Sequence, residues 1–330
     1  MVAAACLGFA TLGLAQPATK TVGKPPINQD VLHAQVILDR LGFTPGVIDG
    51  RAGTGFALAL KGFQQARDLP VTGKPDEATT QALNAYATTP AVIEVALQQG
   101  DFAGPFVGPI PKEPARQAKL PAMGYADVLE ALAERFHTKP AMLIELNSGD
   151  TQLKPGAKIK VPNVVPAAMD YPDTLKPEWR ATLAQLSVSS DQPKAAKVVV
   201  DKSDGVLRVL GDDDKLLAQF PATMGSSHDP LPIGNWKIQG TSYLPPFHYN
   251  PKLFWDAKEG EQKQTLKPGP NTPVGVVWLD LNKEHYGIHG TPTPETIGRT
   301  ESHGCIRLTN WDAARLALMV KPGTPATFQR

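Results

Sequence analysis

Lys197-Val198-Val199-Val200-Asp201-Lys202-Ser203-Asp204-Gly205-Val206-Leu207-Arg208-Val209-Leu210 is the stretch on which the fold of the C-terminal half turns. A Val-rich run, a Ser-Asp-Gly turn and a second apolar run read as a β-hairpin. More strand-like runs follow at 216–222, 234–240 and 274–281. One helix is expected near the end. Thr309 can cap it, Asp312 suits its first turn, Ala313, Leu316, Ala317 and Val320 form an apolar face, and Lys321-Pro322-Gly323 stops it. The C-terminal part is therefore expected to be a mostly β domain with a closed or sandwich-like core.

Upstream the periodicity is helical. Ala34, Ile37, Leu38 and Leu41, then Phe56, Ala59, Leu60 and Phe63, then Thr79, Ala82, Leu83 and Tyr86 each fit one face of a short helix. The joints at 43–50 and 69–73 are rich in turn residues. A second small unit places Leu129, Leu132, Ala133 and Phe136 on one helical face. A short helix near 143–147, a Lys154-Pro155-Gly156 turn and an alternating strand at 158–162 complete it. At 330 residues the chain is long enough for two or three such domains.

With 42% hydrophobic and 20% charged residues and a net charge of +1, the chain is neither a disordered acidic tail nor a polybasic nucleic-acid binder. The apolar run Val2–Ala15, broken by Gln16-Pro17, reads as an export signal and falls short of the roughly 20 residues of a membrane span. Cys6 lies inside that run, so removing it leaves Cys305 as the sole cysteine. A lone thiol in an exported chain has no internal disulfide partner, which leaves a buried hydrophobe or a reactive group.

The neighbours of Cys305 favour reactivity. His289 heads Gly287-Ile288-His289-Gly290-Thr291, and twelve residues later comes Ser302-His303-Gly304-Cys305-Ile306-Arg307-Leu308. A thiol with a pKa near 8.5 needs a base or a cation to become nucleophilic, and His289 can fold back to supply one. Such a thiol would be expected to alkylate well below pH 8. The flanking glycines let the backbone approach a substrate carbonyl. A zinc site from His289, His303 and Cys305 would need a fourth ligand that the spacing does not offer, and a papain-like enzyme would put cysteine before histidine. No metal or organic cofactor is implied.

Three resemblances refine this reading. Leu41-Gly42-Phe43 with Gly46-Val47-Ile48-Asp49-Gly50, and Leu69-Pro70-Val71-Thr72-Gly73, resemble the small three-helix peptidoglycan-binding domain, with Asp68 where that family often has glycine. Residues 120–164 resemble a degenerate LysM module, although the usual first strand is poorly matched around Met123–Asp127; a plain spacer is the alternative for either unit. The His289-Gly290-Thr291 and Ser302–Leu308 motifs, with Gly269-Pro270-Asn271-Thr272-Pro273-Val274-Gly275, resemble the L,D-transpeptidase catalytic domain.

With the export signal placed at 1–16 by its composition, the resemblances imply a peptidoglycan-binding domain at 29–87, a LysM-like module at 120–164 and a catalytic domain at 195–330. They imply a Cys305 nucleophile and a His289 base, with the backbone amides of His303, Gly304 and Cys305 shaping the oxyanion site and Ser302 fixing the turn. Arg307 would hold a stem carboxylate, with a structural salt bridge as the alternative, and Gly290 and Thr291 would contact substrate. The proline-flanked aromatic segment 243–255 offers Tyr249, Phe254 and Trp255 as further contacts, while His228, His248 and His285 read as surface or satisfied histidines. The expected partners are the peptide stems and glycan of peptidoglycan in the periplasm or cell envelope, with acylation of Cys305 by carbapenems. An L,D-carboxypeptidase or wall amidase using the same cysteine site, and a non-catalytic wall-binding protein, stay open as alternatives.

Overall fold

The computed structural model describes residues 25–330, so the expected export signal lies outside the described residues. Three helices open the chain: α1 (Gln29–Arg40), α2 (Thr54–Ala66) and α3 (Glu77–Leu83). Asn28 and Asp76 cap α1 and α3 by accepting backbone N–H bonds, each worth about 1 kcal/mol. Leu38, Phe43, Phe56, Ala59, Leu60 and Phe63 form their common core, as the helical spacing anticipates. Asp68 takes a left-handed φ of 55°, which explains why glycine suits that turn and why a short polar residue is tolerated there.

The middle unit contains β1 (Val92–Ala96), α4 (Pro114–Gln117), α5 (Val128–Arg135), α6 (Pro140–Leu146) and β2 (Lys158–Pro162). The partner of β2 is β1, antiparallel from Val92↔Pro162 to Ala96↔Lys158. The first strand therefore lies well upstream of the poorly matched Met123–Asp127 segment, which sequence periodicity could not reveal across the intervening loop. Next comes α7 (Pro177–Gln185), whose Trp179 and Leu183 are fully buried in the C-terminal core.

That C-terminal part holds β3 (Lys197–Asp201), β4 (Val206–Leu210), β5 (Leu216–Pro221), β6 (Thr223–Met224), β7 (Gly234–Tyr243), β8 (Phe247–Tyr249), β9 (Gln264–Leu266), β10 (Val277–Leu281), β11 (Gly287–His289), β12 (Ile306–Arg307), α8 (Asn310–Met319) and β13 (Pro325–Gln329). Among the described residues its main sheet runs β5-β4-β3-β13-β7-β10-β11-β12-β6. The long β7 joins the two halves, pairing with β13 near Gly234–Lys237 and with β10 beyond Ile238. Val198, Val200, Ile238, Leu279, Ile288, Ile306 and Phe328 point inward against Trp311 and Leu316 of α8. The fold is thus a helical N-terminal region followed by a mostly β domain with a C-terminal helix, and the opening hairpin is β3–β4.

The units are not beads on a string. Gly42–Thr44 covers the edge strand β5: Gln219 donates its N–H to Gly42 O at 3.0 Å, and Thr44 donates to Gln219 O at 3.0 Å. An otherwise open edge is closed by the chain's own helical unit. Asp312, expected only to complement a helix N-terminus, is fully buried and accepts from Thr44 Oγ1 at 2.9 Å. Among the described residues no helix is long and apolar enough to cross a membrane.

Candidate active site

The site grows from one parallel strand pair. β11 and β12 align Ile288↔Ile306 and His289↔Arg307. Both isoleucines face the core, so by the period of two His289, Cys305 and Arg307 share the opposite face. They line a cleft of about 550 Å³, walled by Phe247, Phe254, Trp278 and Tyr286, with Asp229 at its edge.

His289 is 3% exposed, and its Nδ1 lies 2.7 Å from Gly290 O. A carbonyl only accepts, so Nδ1 carries the proton and, in the neutral ring, Nε2 is left basic. Burial and the Arg307 cation push the imidazole down to about 3, against the raising effect of the Gly290 bond. Trp278 pairs with His289 across β10 and β11, and the rings stack at 5.4 Å. That indole lies against one face of the imidazole. It was legible in the sequence as the outward residue of a strand whose Val277, Leu279 and Leu281 face inward.

Burial pushes the Cys305 thiol up, although the Gly287 N–H and Arg307 pull it down. Burial thus favours the protonated thiol, which shares the cleft with the His289 imidazole. Desolvation opposes the expected alkylation below pH 8, and the Arg307 cation favours it. The thiol also lies 3.7 Å from His285 O, a weak sulfur contact.

The turn before Cys305 is held from both sides. Ser302 Oγ accepts from the Gly225 N–H at 2.7 Å and donates to Cys305 O at 2.7 Å. Gly304 has φ +93°, and a Cβ there would come within 2.8 Å of Tyr286, so conformation and space both require glycine. His303 Nε2 lies 2.9 Å from Asp256, and its ring meets Phe254 edge-on at 5.0 Å. Asp256 thus ties the segment between β8 and β9 to the cysteine turn, a link no local motif signals.

Of the expected substrate contacts, Arg307 lines the cleft. Its guanidinium makes no ion pair among the described residues, and its buried Nε has no partner. Gly290 and Thr291 are buried behind the base, where Thr291 Oγ1 accepts from Thr293 N–H at 3.3 Å. Tyr249 and Trp255 lie off the cleft wall. Tyr249 hydrogen-bonds Glu261 and stacks on Phe254, while Trp255, 59% exposed, stacks on His228 at 4.4 Å. Of the three aromatic contacts expected in this segment Phe254 does line the cleft, together with Phe247 and Leu253. His248, read as a surface histidine, also lines the cleft. Among the described residues no cluster of three or more His, Cys, Asp or Glu side chains is placed to hold a metal ion.

Residues 195–327 match the family model of the L,D-transpeptidase catalytic domain, and residues 28–83 match the model described as "Putative peptidoglycan binding domain". The chain is 28% identical over 200 residues to "Putative L,D-transpeptidase YkuD" of Bacillus licheniformis, covering 60% of this chain and 91% of that protein. It is 51% identical over 61 residues to the Bacillus subtilis protein of the same name, but spans only 37% of its length. It is 27% identical to "Probable L,D-transpeptidase YbiS" of Escherichia coli, spanning 61% of it. A solved L,D-transpeptidase from Mycobacterium smegmatis overlaps 56% of this chain and 80% of that one at 20% identity and a TM-score of 0.34. Residues 195–327 belong to the L,D-transpeptidase catalytic domain family, and residues 28–83 to the peptidoglycan-binding domain family.

Proposed function

We propose that this chain is a peptidoglycan L,D-transpeptidase in which Cys305 is the nucleophile and His289 the base. One observation carries the reading: a neutral imidazole, its Nδ1–H committed to Gly290 O, shares a strand face and a cleft with the thiol. Cys305 Sγ attacks the carbonyl of the L-to-D bond in a tetrapeptide stem while its proton passes to His289 Nε2. The tetrahedral oxyanion is held by the backbone amides of His303, Gly304 and Cys305, which Ser302 keeps in place. The C–N bond then breaks, His289 returns its proton to the leaving nitrogen, and D-alanine departs from a thioester. An acceptor amine attacks the thioester, loses its proton to His289, and leaves cross-linked stem and free thiol. Arg307, with no protein carboxylate to pair with, is suited to a carboxylate of the stem.

The units at 29–87 and 120–164 hold the enzyme on the wall and raise the local concentration of stems. That role fits an exported, envelope-located protein acting on stems and glycan, and the nucleophile is the site carbapenems would acylate. Water reaching the thioester would make the same site an L,D-carboxypeptidase.

Incubating the purified chain with disaccharide-tetrapeptide and separating the products by mass tests the reading. Dimers joined through third-position residues, formed by wild type and absent with Cys305→Ala, are expected. Tripeptide without dimers would assign the carboxypeptidase, and no change with either protein would favour a wall-binding role.

A further inference from the structure

The proposed base is held by one hydrogen bond to a glycine carbonyl, which raises the question of what holds the glycine. Gly290 is backed by Asn310, the first residue of α8. A Cβ on Gly290 would come within 2.2 Å of Asn310 Oδ1, so the side-chain amide lies directly against this backbone. Asn310 is fully buried. Its Oδ1 accepts from the Val276 N–H at 3.2 Å, and its Nδ2 donates to Pro270 O at 3.2 Å and to both oxygens of Glu134 at 3.0 and 3.2 Å.

Glu134 belongs to α5 of the middle unit, 176 residues away in sequence. It is 5% exposed and also accepts from Tyr125 Oη at 3.0 Å. One turn earlier on α5, Glu130 accepts from Asn271 Nδ2 at 3.1 Å, and Asn271 also donates to Gly124 O at 2.9 Å. The middle unit thus sends two carboxyls into the backbone region behind the cleft. Burial pushes Glu134 up to about 8, so at neutral pH it is largely a neutral acid. An acceptor oxygen there still fixes which end of the Asn310 amide faces Val276 and Gly290.

We infer that Glu134 is a positioning residue for His289, acting through Asn310 and Gly290, so that the middle unit is part of the support of the active site as well as a tether. The inference rests on His289 being the base. Misplacing a reacting group by about 1 Å can cost on the order of 100-fold in rate, which sets the scale of the effect.

The test uses the full chain and soluble disaccharide-tetrapeptide, a substrate that needs no wall anchoring. Glu134→Ala should lower kcat about 10- to 100-fold with KM unchanged, and Glu134→Gln, whose amide oxygen still accepts from Asn310, should restore most of it. In parallel, nitrogen NMR of the imidazoles should show the His289 Nδ1–H signal in wild type and Glu134→Gln, and its exchange-broadening in Glu134→Ala. If Glu134→Ala does not fold, Glu134→Asp, which withdraws the carboxyl by one methylene, carries the same expectation. Wild-type kcat together with an unchanged His289 signal in the Ala or Asp variant would overturn the inference. Should wild type itself fail to turn over, the transpeptidase reading fails, and the NMR signal alone decides whether Glu134 positions the ring.

Discussion

Two clusters of buried charged and imidazole groups among the described residues bear comparison, one at the seam of the three units and one in the cleft. At the seam, Asp39 of α1 accepts from Arg315 Nη2 at 2.8 Å and lies 3.0 Å from His137 Nδ1, while His137 Nε2 faces Leu186 O at 2.7 Å. The His137 ring stacks on Trp311 at 5.1 Å. In the cleft, His289 uses only one ring nitrogen, His303 Nδ1 and Arg307 Nε have no partner, and the thiol makes only a long sulfur contact. The seam pairs its cation and its imidazole with protein groups, although Trp311 Nε1 and Asp312 Oδ1 there are also without a hydrogen-bond partner, and none of these groups lines the cleft. The cleft leaves donors and an acceptor for something that binds, and buried polar groups left open are costly enough to require a reason.

Breaking each cluster should therefore have opposite signatures. Cys305→Ala should abolish transfer on soluble stems, a loss of about 10³-fold or more, with little change in the unfolding midpoint. Asp39→Ala should do the reverse, because it leaves Arg315 buried with only the longer 3.5 Å contact to Asp312 and removes the carboxylate partner of His137. A loss of about 3–5 kcal/mol is expected in urea unfolding, with kcat of the folded fraction near wild type. A variant that lost activity and stability together at either place would blur the distinction.

Acid sharpens it further. Arg315 and His137 hold the Asp39 carboxyl well below its ordinary 3.8, despite the opposing effect of burial. A depressed carboxyl contributes stability that is present above about pH 4 and lost as pH falls toward its folded value. Wild type should therefore lose more stability than Asp39→Ala on acidification, as followed by thermal melting. The cleft predicts a different profile. With His289 at about 3, no step near pH 6.5 is expected in thiol labelling, and the rate should climb on the alkaline side where the raised Cys305 ionises. Arg307→Gln should slow labelling at pH 8 several-fold, since the cation that favours the thiolate is gone. The smallest effect belongs to a partly exposed pair outside both clusters. Glu145→Ala, which removes the 2.8 Å partner of Arg51, should cost less than about 1 kcal/mol.

The same contrast explains what the sequence could and could not convey. The fold was legible where periodicity is local: Val198 and Val200 alternate into the core, and Phe56, Leu60 and Phe63 follow one helical face. The cysteine turn was legible because Ser302, Gly304 and Cys305 lie within a few residues of one another. Trp278 could have been found from strand alternation. The seam could not, because Asp39, His137 and Arg315 look like ordinary polar surface residues until tertiary packing brings them together. The same holds for β1, which finds β2 across a long loop, and for Asp256, which meets His303 from a distant segment. Tyr249 and Trp255 were chosen for aromatic character, but which aromatic side chains turn inward depends on the β8–β9 hairpin and its loop.

The most direct test of the account is the intact mass of the protein after brief exposure to disaccharide-tetrapeptide without added acceptor, compared among wild type, His289→Ala and Cys305→Ala. The account predicts an adduct equal to the donor less D-alanine, mapped to Cys305 in wild type, formed much more slowly in His289→Ala and absent from Cys305→Ala. An adduct that persists in Cys305→Ala, or one that forms at the wild-type rate without His289, would contradict it.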